Sequence, residues 1–288
     1  MKPSQPARPA RPTPSGRPLL RRKRVVIPAL VAAALLAVPA SSDAAPNPAA
    51  HAATRTPKPT IVLVHGAFAD SSSWDGVVTR LEREGYPVVG AANPLRDLAG
   101  DAAYVSSVVA SIPGPVVLVG HSYGGAVITD AAAGHTNVKA LVYIAAFAPD
   151  EGESSLGITS GYPGSQLPSS LVVRSFPGGQ DAYLDQAAFR RVFAADVPAR
   201  EARLMAATQR PVALAALAAP SSAPAWRTIP SWYLVAGADQ AIPPAAEQAM
   251  AERAHAHTVT VKGASHAVPV SHPEAVTDLV EAAARATA

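Results

Sequence analysis

Cysteine is absent from this chain of 288 residues. Its absence excludes a disulfide framework, a thiol nucleophile, a zinc ribbon and a Cys-ligated iron–sulfur centre, and is compatible with an oxidising or a reducing compartment. Charge is also scarce: 16% of residues are charged and 49% hydrophobic. A chain this long and apolar is not disordered throughout and can bury one or two substantial cores. Lys plus Arg number 24 against 21 Asp plus Glu, a formal net charge of +3. Residues 1–44 hold eight of those basic groups and one acid, so the remainder carries 16 basic against 20 acidic groups, a balance of −4. A basic nucleic-acid-binding domain is thereby excluded for the body of the chain. There is no H-E-x-x-H, and the histidine pairs lack acidic companions in a ligand pattern, so no metal site is expected. Internal repeats are absent as well.

The N-terminal segment reads as an address. Pro, Ser, Ala and Arg alternate up to Arg21-Arg22-Lys23-Arg24, and an apolar run of 14 residues follows from Val25 to Val38. This run is shorter than the roughly 18 residues needed to span a bilayer, and Pro28 would disturb a spanning helix. A removed signal peptide over 1–44 is therefore expected rather than a stable membrane anchor, and with it secretion. Small residues allow cleavage after Ala40 or after Ala44. Arg24 stands where the first apolar residue of a twin-arginine pattern belongs, which leaves the Sec and twin-arginine routes both open. Residues 45–59, rich in Ala, Pro, Asn and Thr with no apolar period, read as a flexible linker, and the folded domain is expected over 60–288.

From Thr60 onward, short β-branched runs alternate with longer Ala-rich amphipathic stretches. Ile61–Val64 and Val116–Val119 are continuous apolar runs, each bounded by Pro and Gly, as strands buried on both faces of a parallel sheet should be. Further strands are expected at Pro87–Ala92, Val138–Phe147, Trp232–Ala236 and Thr258–Val261. Helices are expected near 73–84, 97–111, 124–133, 243–254 and 273–286. The alternation indicates an α/β fold with a mostly parallel sheet and helices on both faces. Between about 150 and 222, Gly/Pro/Ser-rich loops and two helical stretches form an insertion too long for a simple crossover. Its expected place is as a cap over the carboxyl ends of the strands, where open α/β sheets bind ligands.

Gly120-His121-Ser122-Tyr123-Gly124 is a G-x-S-x-G that directly follows a strand and precedes a helix. A strand reversing into a helix within so few residues forces its central residue into strained geometry, and the flanking glycines make room for the turn. Ser122 is thereby lifted out of the sheet at the positive end of a helix, where an oxyanion is favoured. Together with Val64-His65-Gly66-Ala67-Phe68 and Trp74, this motif resembles the α/β-hydrolase superfamily, over roughly residues 60–286. It is similar to the small capped serine esterases, a branch that includes plant methylesterases and hydroxynitrile lyases.

The resemblance implies a Ser-acid-His triad in that chain order and no cofactor. Strand Trp232–Ala236 leads to Gly237-Ala238-Asp239 and then Ile242-Pro243-Pro244, which marks Asp239 as the acid; Asp150, after the preceding strand, is the rival. Strand Val259–Val261 leads through Gly263 to His266, the base. His65 and His121 precede the serine and read as hydrogen-bonding scaffold. His272 is expected at the start of the last helix, His255 and His257 in solvent, and His51 and His135 in tail and loop. The implied oxyanion hole comprises Tyr123 N–H and an N–H of the His-Gly loop, Ala67 with Phe68 as its neighbour. Phe68 and Trp74 are expected to flank that loop, with Phe147, Tyr162, Phe176, Tyr183, Phe189 and Phe193 as cap or pocket candidates. The partner implied is a small-molecule ester with apolar groups. Two alternatives stand beside the esterase. One is a lyase or cofactor-free perhydrolase on the same triad, for which Lys262 is the lysine nearest His266 in sequence. The other is a non-catalytic ligand-binding protein on the same scaffold.

Overall fold

A computed structural model describes residues 57–287. The expected signal segment 1–44, with Ala40 and Ala44, and residues 45–56 of the expected linker lie outside the described residues. The chain first builds β1 (Thr60–Val64), α1 (Asp75–Arg83), β2 (Val88–Ala91), α2 (Leu98–Ala110), β3 (Val116–His121), α3 (Tyr123–Ala131) and β4 (Val138–Ile144). An insertion follows, with α4 (Ser155–Gly161), β5 (Leu171–Phe176), β6 (Gly179–Leu184), α5 (Gln186–Phe193), α6 (Ala199–Thr208), β7 (Val212–Ala213) and α7 (Leu214–Ala218). The chain then returns through β8 (Ser231–Ala236), α8 (Pro244–Arg253), β9 (His257–Val261), α9 (Val268–Ser271) and α10 (Pro273–Ala286).

Six of these strands form one wholly parallel sheet in the order β2-β1-β3-β4-β8-β9. Alternate residues of its strands face opposite layers. Val62, Val64, Val116 and Leu118 pack with α2, α3 and the insertion, whereas Ile61, Leu63, Val117 and Val119 pack with α1 and α10. Burial on both faces explains the uninterrupted apolar runs, and each such side chain contributes about 1.5–3 kcal/mol. After β1 the chain crosses to one side for β2 and then to the other for β3, so the strand order reverses between β1 and β3. In register, Val64 lies opposite Gly120, and the loops that follow both strands leave the sheet side by side. That switch point is where a crevice opens in a sheet of this kind.

Two expectations need correction. The fourth strand ends at Ile144 rather than Phe147, because Ala145 takes φ +44° and the chain turns so that Phe147 N–H donates to Ser122 O at 3.1 Å. The insertion is also not loops and two helices: β5, β6 and β7 form a three-stranded antiparallel sheet beside four short helices. Phe176-Pro177-Gly178-Gly179, read as a loop, is the tight turn between β5 and β6, with Gly178 at φ +101°. Strand β5 evaded the pattern because its Val172, Val173 and Phe176 side chains are exposed and leave no apolar/polar alternation.

Candidate active site

Ser122 sits between β3 and α3 with φ 54° and ψ −124°, a conformation that costs about 1–3 kcal/mol for a residue with a side chain. The surrounding backbone holds it there. Ser122 N–H donates to Ile144 O (3.3 Å), and Ser122 O accepts from Gly125 N–H (2.9 Å) and Phe147 N–H (3.1 Å). The motif glycines are required by contact rather than by φ. A Cβ on Gly120 would lie 2.5 Å from Gly124 O, and one on Gly124 would overlap the carbonyl oxygen of Val64.

Strands β8 and β9 deliver the two other side chains. Their register continues beyond Ala236 and Val261, where Gly237 N–H donates to Val261 O (3.0 Å) and Ala238 N–H to Ala264 O (2.9 Å). Asp239 and His266 are thereby placed side by side. His266 Nδ1 lies 2.5 Å from Asp239 Oδ2, and His266 Nε2 lies 2.8 Å from Ser122 Oγ. All three residues are buried. The second oxygen of Asp239, Oδ1, accepts from Ala241 N–H (2.6 Å) and Ile242 N–H (2.9 Å), which orients the carboxylate. Asp150, the rival acid, is instead held by Arg227 at 2.5 Å in a partly exposed ion pair.

A model of the alpha/beta hydrolase family matches residues 61–279, most of the chain. The chain belongs to that family. Among its relatives, the alpha/beta hydrolase nvfD of Aspergillus novofumigatus (strain IBT 16806) is 28% identical over 248 residues, 79% of this chain and 97% of that protein. A carbendazim hydrolyzing esterase of Nocardioides sp. (strain SG-4G) is 28% identical over 138 residues, 43% of this chain and 55% of its own length. Among solved structures, a pyrethroid hydrolase from Sphingobium faniae JZ-2 superposes with a TM-score of 0.63 at 26% identity, covering 79% of this chain and 98% of that one.

Around Ser122 of this hydrolase, two backbone amides stand free. Among the described residues, Ala67 N–H and Tyr123 N–H meet no acceptor, whereas Phe68 N–H, the alternative, donates to Arg210 O at 3.0 Å. Phe68 has φ +60°, and Asn93 Nδ2–H, fully buried, donates to His65 O (2.9 Å), so the loop is held at both ends. Tyr123 is anchored through its phenol, which donates to Asp101 Oδ2 at 2.9 Å. Burial pushes the Asp101 carboxyl above its ordinary value, with the Arg96 amide and the Tyr123 phenol opposing.

The two early histidines are scaffold. His121 Nε2–H donates to His266 O (2.8 Å) and its ring stands 4.9 Å from that of His266; burial, then the neighbouring His266, holds it neutral well below its ordinary value. His65 Nδ1–H donates to Gly66 O (2.9 Å), and burial lowers it too. His135 meets Ser106 Oγ at 2.6 Å, and His272 stands at the start of α10, 3.1 Å from Asp196.

Over Ser122 and His266 opens a narrow cleft, walled by Phe68, Phe147 and Ile242 from the loops that follow the sheet strands and by Leu156, Leu167, Leu171 and Phe193 from the insertion. Apart from His266 and the phenol of Tyr123, no ionisable side chain lines it, and Lys262 is exposed and elsewhere. The other aromatic candidates are not part of it. Trp74 packs in the opposite layer against the edge of His121 (6.2 Å), and Phe189 is core behind Phe193. Phe176 and Tyr183 carry Arg96 and Arg174 over their rings. Asn93, Asp101 and Arg210 were not singled out from sequence. Each meets a partner far away in the chain, His65 O for Asn93, Tyr123 for Asp101 and Phe68 N–H for Arg210, which no local pattern signals.

Proposed function

We propose that this hydrolase is a secreted serine esterase that cleaves carboxylic esters of small to medium apolar substrates through an acyl-enzyme. The observation that carries this reading is the continuous hydrogen-bonded series from Ser122 Oγ through His266 to Asp239, opening onto an apolar cleft beside two free amides. In this scheme His266 Nε2 takes the Ser122 proton as Oγ attacks the ester carbonyl, and later gives it to the departing alcohol. Asp239 fixes the tautomer with the proton on Nδ1 and stabilises the imidazolium. Ala67 N–H and Tyr123 N–H receive the developing oxyanion, Tyr123 at the positive end of α3. The absence of charge along the cleft favours a neutral ester with aliphatic or aromatic groups. Esterase action by the Nocardioides relative supports the reaction class. Secretion rests on residues 1–44 alone, and N-terminal sequencing of exported protein should begin at Ser41 or Ala45.

The test is acid release from short p-nitrophenyl esters together with fluorophosphonate labelling. Ser122→Ala should lose both, with turnover falling by about 10⁶ and the melting temperature retained. Turnover persisting in that variant removes Ser122 from the mechanism, and labelling without turnover in the unaltered protein favours a ligand-binding role.

A further inference from the structure

Behind Asp239 lies a second carboxyl group that the proposed mechanism does not use. Glu247, in the first turn of α8, has no exposed surface. Its Oε2 accepts from Ala236 N–H at 3.0 Å, while its Oε1 is buried without an assigned donor. Among the described residues no Lys, Arg or His forms an ion pair with it; Arg253, farther along α8, is occupied by Glu153 and Ala148 O. The ionisable groups that face it are Asp239 and, from β8, the buried phenol of Tyr233, which is itself spent on Ala146 O. A carboxylate offers about four lone-pair positions. Asp239 fills two on Oδ1 with the Ala241 and Ile242 amides and one on Oδ2 with His266, which leaves one open.

We propose that Glu247 is a positioning residue for Asp239, its carboxyl O–H donating into that open lone-pair position so that four donors hold the acid against His266. Two adjacent buried carboxyls do not both ionise, and the one with three donors already in place keeps the charge. In the same direction, burial first and then the charge and hydrogen bond of Asp239 push the Glu247 carboxyl well above its ordinary value. The inference rests on the reading of Ser122, His266 and Asp239 as a catalytic triad.

Two variants and one spectroscopic readout test it. Glu247→Met removes the donor and leaves Asp239 a stronger base, which makes His266 more basic. We expect kcat to fall about tenfold with KM unchanged, and the acid limb of kcat/KM to rise by about one pH unit. Glu247→Gln can donate to Asp239 through its amide and accept from Ala236 N–H through its carbonyl, and should recover most of what Glu247→Met loses, with the acid limb back in place. Independently of turnover, the infrared spectrum at neutral pH should show the C=O stretch of a protonated carboxyl that Glu247→Gln lacks. Absence of that band overturns the proposal even where esters are hydrolysed, whereas loss of the esterase reading leaves the band intact. An acid limb that Glu247→Met does not move makes the residue merely structural, and one that Glu247→Gln lowers shows it ionised. If Glu247→Met does not fold, the band and the Glu247→Gln profile decide.

Discussion

Asp239→Asn is the substitution for which the structure dictates the outcome most closely. The two amides of Ala241 and Ile242 point at Oδ1 from 2.6 and 2.9 Å and require an acceptor. Turning the asparagine NH₂ toward them would leave buried donors facing donors, at about 1–3 kcal/mol each. The amide oxygen therefore stays where Oδ1 is, and the NH₂ faces His266 Nδ1. That nitrogen must then accept, so the ring proton moves to Nε2, the atom 2.8 Å from Ser122 Oγ. A protonated Nε2 cannot take the serine proton. The expected loss in kcat is about 10⁴, equivalent to about 5 kcal/mol of barrier, with little change in KM and a melting temperature close to that of the parent. Initial rates on p-nitrophenyl acetate, with melting curves on the same samples, measure it. Asp150→Asn is the matched control, since Asp150 is tied to Arg227, and it should keep kcat within about twofold. Retention of a tenth of the activity by Asp239→Asn, or a thousandfold loss in Asp150→Asn, would refute the assignment of the acid.

Two further outcomes follow from the same geometry. In Gly66→Ala the new Cβ falls 2.6 Å from Ser122 Cβ and 2.8 Å from His121 O, so the loop carrying Ala67 must draw back. Loss of that one oxyanion donor should lower kcat by about 10²–10³, and unchanged kcat in a folded Gly66→Ala would show that Ala67 N–H takes no part. Stability should respond to Glu247 on the alkaline side. Because burial raises its folded-state value, the folded protein holds a proton that the unfolded chain releases above the ordinary carboxylate range. Its contribution is complete at acid pH and declines by about 1.4 kcal/mol per pH unit until the raised value is passed. Denaturation midpoints of the parent should therefore fall relative to those of Glu247→Gln as pH rises; a gap between the two that stays constant with pH contradicts a buried neutral acid.

The parallel sheet was legible because its signals are local. Runs such as Ile61–Val64 are apolar at every position since both faces are covered, and the G-x-S-x-G is recognisable because a strand, a tight turn and a helix must adjoin within a few residues. The order Ser-acid-His came from the resemblance to the α/β-hydrolases, and only with that order given do the ends of β8 and β9 point to Asp239 and His266. Glu247 could not be placed in this way: a glutamate in the first turn of a helix ordinarily faces water and the helix dipole, and only the packing of α8 onto β8 turns it inward to Ala236 and Asp239. Its role depends on contacts that sequence spacing does not encode.

The insertion was the least legible segment, and it is also the one that ties the site together. Arg210 O receives Phe68 N–H on the side of the free amides, and Phe193 O receives Ala267 N–H (2.8 Å) on the side of the base. Asp196 accepts from Ser265 N–H (3.2 Å) and Ser265 Oγ, directly before His266, and lies 3.1 Å from His272. Both loop edges of the proposed catalytic centre are therefore clamped by a segment whose own strands and helices are too short, and in β5 too exposed, to announce themselves. A loop held only by its own sequence would wander by more than the half ångström that catalytic geometry tolerates. The long insertion, weak in pattern, thus supplies the rigidity that the strongly patterned sheet alone does not extend to its loops.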